Sequence, residues 1–292
     1  MFTKKTNFKA MKADAILSAY KKNILIFWVL HALTVVGAVI VAVMFFTGKS
    51  TITSSFFSVV FLCVLNYLFY TGRKLQFHML NQVLNNNCDP IKFEKIFRGL
   101  EHSGMNKVDC QLNIARGQFY AGKPQEALDT LLAMPRPKEG TLQIFQYYNV
   151  MAGCYEATQD FERVVEVREK VKKLMIGLKE GTPALRNGQQ LLTIIDGILT
   201  FHQGSYMRCY EIYEDLFDAS SYPLSRMTVL IKLAKMDQMT GAARSAIDHC
   251  EYILDAGGTT FYKKQAQEIL ELCRPRKKEE TESPEEDSNG TE

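Results

Sequence analysis

"YNVMAGCYEATQDFERVVEVREKV", residues 148–171, decides how this chain is read. Apolar residues fall at helical spacing on both sides of Thr158-Gln159-Asp160, with Ala152 and Tyr155 ahead of the break and Phe161 just past it. The pattern is that of two helices joined by a tight turn. Alone it is one helical hairpin among many; repeated, it makes an array of helix pairs whose use is to hold something.

The pattern recurs. A break stands at Gly122 in "FYAGKPQEALDTLL", at Gln159, at Gly204 in "TFHQGSYMRCYEIY" and at Gly241 in "DQMTGAARSAIDHC", separated by 37, 45 and 37 residues. A period in this range marks stacked two-helix units. Seven residues before the breaks come Ala115, Ala152, Gly197 and Ala234; five after them come Ala127, Val164, Cys209 and Ala246. Compact residues at these offsets let the two helices of a pair cross closely.

With these residues in view, Val108 to Leu254 resembles the tetratricopeptide repeat (TPR) family, whose unit is 34 residues of helix–turn–helix. Tyr148, Met151, Ala152 and Tyr155 match the first helix of a unit, and Ala127, Leu131 and Pro135 match the second helix and its end. Gln159 departs from the turn glycine, and Gln118, Thr200 and Asp237 from the aromatic position. The resemblance implies an all-α solenoid whose first helices line a concave groove that binds a protein or peptide. Carried over residue by residue, the groove positions are Leu112, Arg116 and Phe119, then Gln146, Asn149 and Glu156, then Ile194, Ile198 and Phe201, then Ile231, Lys235 and Gln238. The family's clamp for C-terminal carboxylates keeps only Asn149 here, since Leu112 and Gly153 do not supply its other members.

Ahead of the array, 24–46 is a run of 23 residues without Asp, Glu, Lys or Arg, and 52–70 is a second uncharged run of 19. At about 1.5 Å per residue each is long enough to cross roughly 30 Å of hydrocarbon. The link between them, Thr47-Gly48-Lys49-Ser50-Thr51, is short and polar, so the two runs read as an antiparallel transmembrane hairpin within 24–72. A signal peptide has a shorter apolar region and a small-residue cleavage site, which this run lacks. Residues 1–23 carry six lysines against Asp14, Arg73 and Lys74 follow the second run, and the link holds Lys49 alone. The positive-inside tendency then places both termini and the array in the cytoplasm. The segment "TNFKAMKADAILSAYKK" suits an interfacial helix against lipid headgroups or a solvated tail. His31 and Asn66 are the polar residues of the runs, expected to serve helix–helix packing.

Residues 73–107 read as a leading helical pair, 108–274 as the repeat domain with "TTFYKKQAQEILELC" as its capping helix, and 275–292 as a disordered acidic tail. The net charge of +3 is concentrated in the N-terminal 23 residues and the remainder is slightly acidic, which argues against a nucleic-acid binder. Seven dispersed cysteines without a C-x-x-C pair point to reduced thiols. No phosphate loop, dinucleotide fingerprint, zinc-protease helix or nucleophile elbow occurs, and His78, His102, His202 and His249 are scattered singly. The expectation is therefore an adaptor without catalytic residues, cofactor or metal, docking an unidentified protein or peptide at the membrane face. The alternative is an accessory subunit of a membrane enzyme or transporter that acts through its spans.

Overall fold

The computed structural model describes residues 1–3, 6–103 and 105–273; the acidic tail expected at 275–292 lies outside the described residues. The described chain is all helical: α1 (Ala13–Phe46), α2 (Ile52–Asn85), α3 (Pro90–Glu101), α4 (Lys107–Tyr120), α5 (Pro124–Ala133), α6 (Leu142–Ala157), α7 (Phe161–Met175), α8 (Pro183–His202), α9 (Tyr206–Asp218), α10 (Pro223–Thr240), α11 (Ala243–Ala256) and α12 (Tyr262–Cys273). The starts follow helix chemistry. Proline opens α3, α5, α8 and α10, and Thr51, Asp89, Asn106, Asp160 and Thr182 cap orphan N–H groups with their side-chain oxygens.

Helices α1 and α2 are each 34 residues long and form an antiparallel pair, long and apolar enough to cross a membrane. Their apolar windows are 11% and 0% buried, so they are not the core of a globular domain. Gly37 lets the helices close up: a Cβ there would meet Leu62 at 3.3 Å. Thr34 is buried and donates to the His31 carbonyl at 2.7 Å, and the His31 ring lies edge-on to Trp28.

Both helices run on past their apolar stretches into the rest of the protein. On α1, Ala13, Ile16 and Tyr20 are buried; on α2, Met79, Leu80, Val83 and Leu84 are. The segment before α1 is neither a solvated tail nor an interfacial helix, because Phe2 and Phe8 are buried in the core with their rings edge-to-face at 5.0 Å. Buried Gln76 fastens it: its Oε1 accepts from Phe2 N at 2.8 Å and from Asn23 Nδ2 at 2.9 Å, and its Nε2 donates to Phe2 O at 3.1 Å.

From α3 onward each helix packs on the next, and α4, α6 and α8 pack side by side, as do α10 and α12. The four breaks at Gly122, Gln159, Gly204 and Gly241 have φ of 83°, 60°, 74° and 83°. All eight compact residues flanking them are buried, seven of them without measurable exposure apart from Gly197, which packs under Tyr213 and Ile212. Gln159 thus adopts the left-handed conformation that glycine holds at the other breaks.

The line of helices bends back on itself. Segment 257–261 reaches the far end of the domain, where Thr259 N donates to Cys88 O at 2.9 Å, Phe261 N donates to Tyr120 O at 3.0 Å, and Thr259 Oγ1 donates to Asp89 Oδ1 at 3.0 Å. Gly258 is required there, since a Cβ would stand 2.3 Å from the Cys88 carbonyl oxygen. Helices α8 and α10, by contrast, do not pack extensively on each other, and the core divides accordingly into one cluster across α4–α8 and a second that joins α9–α12 to the N-terminal segment, the start of α1, the end of α2, α3 and one side of α4.

Gln159 is exposed, so its left-handed backbone is the main thing a substitution changes. Gln159→Gly should stabilise the protein by about 1 kcal/mol, read as a higher thermal midpoint of the purified full-length chain. An unchanged or lower midpoint would contradict the strain assigned to this turn.

Candidate functional site

The gap between α8 and α10 is a pocket of about 490 Å³, and α4, α6, α8, α9, α10 and α12 all contribute to its wall. Of the residues expected in a groove, it brings together Phe119, Asn149, Glu156, Ile194, Ile198 and Lys235, with Ile231 besides. The wall is largely apolar around Val150, Leu216, Val229 and Phe261, with Tyr120, Tyr213 and Tyr262 adding phenols and Gln190 and Gln265 adding amides.

Five of the twelve expected positions, Leu112, Arg116, Gln146, Phe201 and Gln238, lie outside this pocket. Arg116 is not in the pocket: the extension of α2 covers its face, and the guanidinium donates to Asn81 Oδ1 at 3.0 Å, to Asn113 Oδ1 at 2.8 Å and to Asn85 Oδ1 at 3.3 Å, 5.6 Å from the Phe93 ring centroid. Burial lowers its pKa. Phe201 is outside the wall as well and packs on Tyr206. Leu112 is fully buried core, and Gln146 is exposed away from the pocket. Ile198 and Ile231 line the wall from buried positions instead of standing in an open groove.

The charges are few. Lys232 on α10 forms an ion pair with Glu156 on α6, both side chains mostly buried, so the pair ties the two walls together. Lys232 also lies 5.9 Å from the Phe201 ring centroid. Lys235, one turn along the same face of α10, has no ion pair or hydrogen bond among the described residues. Burial and then the charge of Lys232 bring its pKa down to about 8, against the opposing pull of Glu156 and Glu268. The Tyr213 hydroxyl is buried without a hydrogen-bond partner. Burial raises the pKa of Tyr120, Tyr213 and Tyr262, so the phenols stay neutral.

No cysteine among the described residues lines the wall. The buried thiols are pushed up by burial, Cys154 to about 12 and Cys209 to about 11, and both are protonated near neutral pH. Among the described residues no group of His, Cys, Asp and Glu could hold a metal ion. Lys232 was within reach of sequence reasoning, since it stands three residues before Lys235 on one helix face. Phe261, Tyr262 and Gln265 were not, because they reach the pocket only through the return of the chain onto Cys88 and Tyr120. No protein-family model, curated protein or solved structure matches the chain.

Between pH 8 and the ordinary lysine value the unfolded chain holds a proton at Lys235 that the folded chain has lost, so this group adds stability as pH rises through that window and detracts from it below. Lys235→Met should therefore raise the thermal midpoint at pH 7, with the advantage over wild type shrinking by pH 10. A methionine variant less stable than wild type at pH 7, or a gap that does not narrow, would contradict the assignment.

Proposed function

We propose that this chain is a membrane-anchored adaptor: α1 and α2 hold it in the bilayer as a hairpin, and α3–α12 form a degenerate TPR-like array that docks a short segment of a partner protein at the cytoplasmic face. The observation that carries the reading is the convergence of Phe119, Asn149, Glu156, Ile194, Ile198 and Lys235 on one pocket. The anchor is supported by the exposed apolar surface of both long helices and by the cations at their base. Arg73 lies 4.5 Å from the Trp28 ring centroid and Lys74 lies 4.5 Å from that of Tyr70, the aromatic and basic pairing expected at a membrane interface. Tethering raises a partner's effective concentration, so a pocket of modest affinity suffices.

A pocket of this size admits side chains and not a docked helix. At a diameter of about 10 Å a single turn of helix would fill it. The partner therefore enters with a short apolar and acidic stretch. The accessory-subunit reading has one observation in its favour, the His31 Nδ1 buried in α1 without a partner.

Two experiments test the proposal. A cysteine introduced at Ser50 in intact cells should react with an impermeant thiol reagent; protection there, with labelling of the cytoplasmic domain instead, contradicts the topology. For docking, the full-length Asn149→Ala, Lys235→Gln double variant should lose the proteins that co-purify with wild type from detergent while still melting cooperatively as a folded protein. Capture of the same proteins at the same yield by a folded double variant moves the docking site elsewhere.

A further inference from the structure

Three ionisable chains other than phenols line the pocket, Glu156, Lys232 and Lys235. Glu156 and Lys232 neutralise each other across the gap. That leaves one unmatched positive charge. The remaining carboxylate that acts on Lys235 is Glu268 of α12, which is exposed and stands 3.9 Å from Lys264. Lys235 is half-buried, and an ammonium partly withdrawn from water without a counter-charge gains from an anion beside it. The same pocket is lined by the aliphatic side chains of Ile194 and Ile198 from α8 and Val229 from α10. The Tyr213 hydroxyl is a second buried polar group of the wall without a partner, on a residue 3% exposed.

The volume of about 490 Å³ falls within the range of small-molecule sites, roughly 300 to 1,000 Å³. One unpaired lysine with no arginine in the wall suits a singly charged carboxylate better than a phosphate, which recruits several donors or a guanidinium fork. We propose that the pocket binds a small aliphatic carboxylate, its anionic end on Lys235 and its chain along Ile194 and Ile198. The site goes beyond the docking reading because it needs no protein, although a bound acid would fill the space that a partner's segment enters.

The test is calorimetric titration of the full-length protein in lipid nanodiscs with octanoate, with empty discs as the blank and 1-octanol and octylamine as neutral and cationic counterparts. Octanoate should bind saturably at one site, 1-octanol roughly tenfold more weakly or worse, and octylamine not at all. Lys235→Gln should weaken octanoate by roughly tenfold or more while the variant still melts cooperatively as a folded protein, and Lys235→Arg should keep binding. Raising the pH from 7 to 9.5 should weaken it too, since Lys235 loses its proton there while the phenols stay neutral; Lys232, Glu156 and Glu268 are the other charges that act on it. No saturable octanoate signal, equal binding of 1-octanol, or an unaffected Lys235→Gln variant overturns the proposal. If octanoate fails while the double variant still loses its partners, docking stands and the carboxylate site falls. Octanoate binding with partner capture unchanged does the reverse.

Discussion

Two backbone hydrogen bonds, Thr259 N–H to the Cys88 carbonyl and Phe261 N–H to the Tyr120 carbonyl, turn a row of helices into an enclosure. Without them α12 would end the row as an open edge, and the inner face of α4, α6 and α8 would be a shallow surface. With them, α10 and α12 stand opposite that face and the space between becomes a pocket with one ion pair spanning it. Cys88 is itself at φ 53°, a left-handed turn for a residue with a side chain, and Asp89 beside it both caps α3 and accepts from Thr259. The turn that ends α2 is therefore the same structure that receives the end of the array.

This junction also links the pocket to the hairpin. Helix α2 passes without a break from its apolar stretch to Asn85, three residues before Cys88, and Gln76 binds α1 through Asn23 and the chain start through Phe2. The hairpin and the helical domain are joined through continuous helices and a buried core, not through a flexible linker. Arg116 belongs to this joint: its three amide acceptors lie on α2 and α4, so it holds the first unit against the hairpin's extension.

Much of this was legible in the sequence for a physical reason. Where two helices of a pair cross, only a compact side chain fits, so Ala115, Ala152, Gly197 and Ala234 reported the crossings directly, and the offset identified Gln159 as a turn although it is not glycine. The long uncharged runs were legible because lipid-length helices need nothing but apolar length. The closure was not, because its two backbone bonds join residues far apart in the chain, Thr259 to Cys88 and Phe261 to Tyr120, and backbone groups leave no side-chain pattern. The place of Arg116 left no such signal, since its acceptors Asn81 and Asn85, four apart on one face of α2, read equally well as a face turned to solvent. Phe201 stands at the same offset from its break as Phe119 and Glu156, which do line the pocket, and it packs on Tyr206 instead.

The measurement that bears most directly on this account is amide hydrogen exchange across 257–262 in the full-length protein in lipid discs. If the ends are joined, Thr259 and Phe261 exchange slowly, at rates comparable with the interior of α4, because their N–H groups are hydrogen-bonded to carbonyls on the far side of the domain. Exchange of both amides at the rate of an unstructured loop would show an open array, and the enclosed pocket would not exist as described.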